Sequence, residues 1–62
     1  MTLSELQPGE RFIAASANDK TKADRYRVLD EVIGLSIKCY NETKKYSEYK
    51  SARMQIIQLP IK

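Results

Sequence analysis

RYRVLDEVIGLSIKCY, residues 25–40, is the longest apolar-rich run in the chain, and its reading decides the fold. As a helix, Tyr26, Leu29, Val32 or Ile33, Ser36 or Ile37, and Tyr40 recur at spacings of three and four, an amphipathic stripe. Two features oppose it. Gly34 stands at the centre, at a cost of about 1 kcal/mol relative to alanine. Around it Val28, Val32, Ile33 and Ile37 are β-branched and lose rotamer freedom in a helix. As strands, Tyr26 and Val28 share one face with Arg25 and Arg27 opposite, and beyond a turn near Gly34, Ile37 and Cys39 alternate with Lys38 and Tyr40. Leu29 then falls out of phase, which requires a bulge near Asp30. A mixed solution places a short helix near 22–33 and strands after Gly34.

The flanks favour strands. Thr2 and Glu5 have capping-box spacing, so a single helical turn opens the chain, and Pro8-Gly9 ends it. From Arg11 the residues alternate, Phe12 and Ala14 one way and Arg11 and Ile13 the other, with Leu3 and Leu6 placed to fold back over one end of a core. Residues 16–24, SANDKTKAD, read as an exposed loop. KYSEYKS, residues 45–51, makes a further strand after the polar NETK. Near the end, Met54 and Ile56 take one side of a strand and Ile57 and Leu59 the other, before Pro60 stops it. A chain that begins and ends in strands needs others to pair them, because a lone two-stranded ribbon is marginal in water. The expected fold is therefore mainly β, a small barrel of about five short strands with an N-terminal helical turn. The alternative is an α+β fold with the short helix near 22–33.

LSELQPGERF, residues 3–12, resembles the opening of small SH3-like barrel domains, including the FeoA-type domains that accompany bacterial ferrous-iron transporters. There a Leu-x-x-Leu turn and Pro-Gly lead into the first strand. RVLDEVIGLS, residues 27–36, is similar to the Arg-rich, Leu-Asp-x-Gly-Leu helix-turn of that family, although the Thr-Pro-Gly that follows it there is absent here. The resemblance covers about a third of the chain. It implies an SH3-like barrel; neither iron transport nor a functional site is carried over.

Sixty-two residues make a single small domain, 1–62. Such a chain buries only roughly 60% of its unfolded surface, so stability must come from packing or from self-association. Cys39 is the one cysteine and there is no histidine, so neither a disulfide framework, a zinc site nor a histidine-activated nucleophile is available within the chain. Cys39 alternates with Ile37 onto the apolar face and reads as a buried thiol. Asp30 and Glu31 are adjacent, so on a strand they point apart and do not share a proton. Gly9 and Gly34 stand alone and form no phosphate loop. The expectation is a protein with no enzymatic activity and no cofactor. No signal-peptide pattern and no membrane-spanning run is seen, which together with the free thiol reads as cytoplasmic, with no membrane partner.

The net charge of +3 is local. Between residues 19 and 31 four bases and four acids cancel, whereas residues 44–53 carry Lys44, Lys45, Lys50 and Arg53 against Glu48 alone. Tyr40, Tyr46 and Tyr49 interleave with these bases, and the seven residues together form the candidate binding face. A protein partner with an acidic surface would use tyrosine as anchor and the bases as a steering field. Single-stranded nucleic acid would stack on the aromatics of the same 40–53 face. The plain structural reading is that the tyrosines pack the thin core and the lysines solubilise an edge strand.

Overall fold

A computed structural model describes residues 1–17 and 22–59. The run at 25–40 resolves as two strands. β1 (Arg11–Ala14), β2 (Tyr26–Ile33), β3 (Ser36–Asn41), β4 (Tyr46–Ser51) and β5 (Ile56–Gln58) form one antiparallel sheet in the order β4-β3-β2-β1-β5. The helix near 22–33 is absent: the described residues contain only a 3-10 turn, Leu3–Glu5. β-branched Val28, Val32 and Ile33 sit where a pleated surface accommodates them.

The anticipated irregularity near Asp30 is present. Val28 pairs with Cys39 and Val32 with Ile37, so four steps along β2 match two along β3, and the excess residues lie between Val28 and Val32. The hairpin then closes tightly, with Ile33 opposite Ser36. Gly34 takes φ +59° while Leu35 does not turn left-handed, the sign pattern of a type II′ turn, which needs glycine first. Pro8-Gly9 contributes more than a stop. The Gly9 N–H donates to Val28 O (2.8 Å) and the Val28 N–H donates to Glu10 O (2.9 Å), so Gly9 and Glu10 together face one residue. With Gly9 at φ +94°, this is a glycine bulge that bends the chain into β1.

The sheet ladder is not closed, because β4 and β5 do not pair. The N-terminal turn lies across the connection between them. Leu3 N–H donates to Met54 O (2.9 Å), Ser4 N–H to Ala52 O (3.0 Å) and Ile56 N–H to Met1 O (2.8 Å). Glu5 reaches back as the capping spacing predicts, its carboxylate accepting from Thr2 N–H at 2.7 Å. Leu3 and Leu6 are thereby buried against Phe12, Tyr26, Val28, Ile37, Cys39 and Ile56, with Met54 and Ala52 packed at the side. Phe12 and Tyr26, paired across β1 and β2, stack with ring centroids 5.2 Å apart.

One expectation needs adjustment. Alternation puts Ile13 with Arg11, facing away from the core, but it is buried as well, outside the main cluster and opposite Ile57 on β5. Val32, Ile33 and Leu35, members of an apolar run, are about 60% exposed. Within β2, β1 pairs with Tyr26 and Arg27 alone, so the second half of β2 and its turn project past the core. The loop at 16–24 lies in part outside the described residues, as does Pro60. No helix among the described residues is long and apolar enough to cross a membrane.

Candidate functional site

β4 organises the seven residues singled out above, but along an edge rather than on a face. Strand pairing places Tyr46, Glu48 and Lys50 opposite Asn41, Cys39 and Ile37, on the core side of the sheet. Ser47, Tyr49 and Ser51 lie opposite Tyr40, Lys38 and Ser36, on the outer side. The three tyrosines are therefore divided, Tyr46 from Tyr40 and Tyr49. Lys44 and Lys45 stand in the loop before β4, and Arg53 in the turn after it, roughly 20 Å away along a strand rising about 3.4 Å per residue.

The loop between β3 and β4 is built on Asn41, which is completely buried. Its side-chain oxygen accepts the Thr43 and Lys44 N–H groups at 3.0 and 2.8 Å, and its amide donates to Asp24 at 3.1 Å. This asparagine turn supplies partners for backbone groups that the hairpin leaves over. It also forces Lys45 to φ +61°, an uncommon conformation for a residue with a side chain. Lys44 reaches Asp24 at 3.5 Å, and hydrogen bonding by Asn41, with Lys44 nearby, lowers the Asp24 pKa.

On the core side, Lys50 crosses β3 to lie over Tyr26, its Nζ 4.6 Å from the ring centroid, and also meets Glu48 at 3.5 Å. Burial works against its charge, but Tyr26 and Glu48 outweigh it and the pKa is raised. The Tyr46 hydroxyl donates to Glu48 at 2.9 Å, which raises the tyrosine pKa. On the outer side the Tyr49 hydroxyl donates to Glu31, which also takes Lys38 at 3.7 Å. Tyr40 lies half-buried under the Arg27 guanidinium, 5.4 Å from its centroid. Arg27 and Arg11 converge on Glu42 at 3.7 and 2.8 Å.

Sequence reasoning missed this Arg11–Arg27–Glu42 group. Arg11 and Arg27 become neighbours only through the β1–β2 register. The alternation of Arg27 and Tyr40 onto the outer faces was visible; their adjacency was not. Two of the seven residues, Lys45 and Arg53, are exposed and make no ion pair among the described residues.

The remaining polar feature of β4 is its backbone. Ala52 N–H donates to Leu35 O at 2.7 Å, which with the register makes Lys50, Glu48 and Tyr46 the residues bonded to β3. The N–H and C=O groups of Ser47 and Tyr49 then point away from the sheet, where no described strand lies. No cleft opens among the described residues, and no group of three metal-ligating side chains occurs there. Compared with family models, curated proteins and solved structures, the chain matches none of them.

Proposed function

We propose that this protein is a non-enzymatic interaction module, of SH3-like kind, that takes an extended segment of a protein partner along the β4 edge. The observation that carries the reading is the row of outward backbone groups at Ser47 and Tyr49 between two cations with no ion pair among the described residues, Lys45 at one end and Arg53 at the other. A strand added there gains main-chain hydrogen bonds, with side chains giving selectivity. Tyr46 and Tyr49, each about two-fifths exposed, supply apolar contact on both faces of the added strand. The local excess of positive charge favours an acidic segment.

Single-stranded nucleic acid is less well served by this geometry. Its bases stack on aromatics that share a surface, and here Tyr46 is separated from Tyr40 and Tyr49 by the sheet.

The test is a titration followed by amide NMR, with a soluble peptide of alternating threonine and glutamate as one probe and an oligothymidine as the other. The peptide is expected to shift and protect the Ser47 and Tyr49 amides, with weaker binding at high salt. Saturable binding of the oligothymidine alone, with a steep salt dependence, would transfer the reading to nucleic acid. Absence of any β4 response to the peptide removes the edge proposal.

A further inference from the structure

We infer that this edge also takes a second copy of the same chain, paired β4 to β4 about a two-fold axis through Tyr49. The inference rests on the edge reading above and names its occupant. β5, the opposite edge, is three residues long, whereas β4 offers six.

Antiparallel pairing of two β4 strands in a continuous sheet admits few registers. Residues that face each other must lie on the same side of the sheet, and the outward groups, those of Ser47, Tyr49 and Ser51, must meet one another. An axis at Ser47 brings Lys45, whose left-handed backbone cannot extend a ladder, opposite Tyr49. An axis at Glu48 sets Glu48 against its own copy, a like-charge pair that opposes the sheet. An axis at Tyr49 is different. Tyr49 faces the partner's Tyr49, and Glu48 and Lys50 face the partner's Lys50 and Glu48 in two symmetric opposite-charge pairs on the core side. Ser47 faces the partner's Ser51 on the outer side. Tyr49 exchanges two backbone bonds with its copy, and each Ser51 N–H can donate to the partner's Ser47 carbonyl, since the Ser51 carbonyl already accepts Met54 N–H at 3.1 Å.

Glu48 and Lys50 thus have a double effect. Charges on the core side of an edge strand make indiscriminate strand addition unfavourable. In the single register centred on Tyr49 the same two charges become complementary. The contact is small, and it brings Lys45 opposite the partner's Arg53 at each end, an exposed like-charge approach that salt screens, so the dimer belongs to the weak, concentration-dependent class.

Sedimentation across about 10 µM to about 1 mM should show a monomer passing to a dimer, the range expected of a transient contact. Glu48→Lys and Lys50→Glu are each expected to remain monomeric, while their equimolar mixture dimerises, because opposite charges are restored across both pairs. Lys50 packs on Tyr26, so Lys50→Glu could lose the fold; disulfide mapping then decides the register. Tyr49→Cys should oxidise to a covalent dimer, since facing bonded residues lie about 5.5 Å apart at Cα, within disulfide reach. Ser47→Cys should not crosslink alone but should do so when mixed with Ser51→Cys. Cys39 is buried and does not compete. A chain that stays monomeric throughout, or a Ser47→Cys variant that crosslinks to itself as readily as Tyr49→Cys, overturns the inference. If such a monomer still takes the threonine–glutamate peptide at Ser47 and Tyr49, self-pairing alone has failed; if it does not, the edge reading fails with it.

Discussion

Lys45 pays a local backbone penalty so that Asn41 can close the β3–β4 turn. A side-chain-bearing residue in the left-handed region costs about 1–2 kcal/mol, and glycine removes that cost while adding freedom to the unfolded chain. Lys45→Gly should therefore raise stability by up to about 1 kcal/mol in chemical denaturation, whereas the same change at Lys44, with ordinary φ, should lower it. Cys39 offers a second test. Burial pushes its thiol pKa up to about 11 from 9.0. The folded chain therefore holds the proton more tightly than the unfolded one. Cys39's contribution is complete below pH 9 and declines as the pH rises toward 11. Cys39→Val should flatten the alkaline limb of the stability profile, and in the parent chain a thiol reagent at neutral pH should react only on unfolding.

At the scale of elements, the β2–β3 hairpin separates turn chemistry from burial. Gly34 has open space where a Cβ would stand, so Gly34→Ala meets only its backbone conformation, and a loss of about 1 kcal/mol is expected. Leu35 is mostly exposed, and Leu35→Lys should change the denaturation midpoint by less than about 0.5 kcal/mol in stability. A large loss at Leu35 would show that the hairpin tip packs on something. The alternation of Ile37 and Cys39 with Lys38 and Tyr40 was legible, because β3 is flanked by strands on both sides and has one buried face. The bulge was legible from Leu29 falling out of phase. The exposure of Val32 and Ile33 was not, since apolar character does not record that β1 ends before reaching them.

Over the whole molecule, acid stability falls to carboxylates fixed by hydrogen bonds. Donation by Asn41 lowers the pKa of Asp24, and donation by the Thr2 backbone and hydroxyl lowers that of Glu5. Folded-state values below the unfolded ones mean that their contribution is complete above the usual carboxyl range, near 3.8 and 4.5, and is lost as the pH falls through the folded values. Thermal unfolding followed from pH 6 downward should show the midpoint dropping in that window, with a shallower drop in Asp24→Asn; an unchanged slope would remove Asp24 from the account.

The candidate site was legible in kind and not in shape. Its cations and tyrosines cluster within a short segment of sequence, but strand geometry divides alternate residues between the two sides of the sheet. What reads as one face is an edge, and only β4's terminal place in the sheet exposes it. By itself the sequence determined the features that depend on near neighbours: strands from period-two alternation, a turn at Gly34, the N-terminal turn ended by Pro8-Gly9, and a buried Cys39. The tertiary structure alone decided which strand lies outermost, that Arg11 meets Arg27, and that Val32, Ile33 and Leu35 remain uncovered. Side-chain alternation is set by each strand's own backbone, while pairing and burial depend on residues far along the chain.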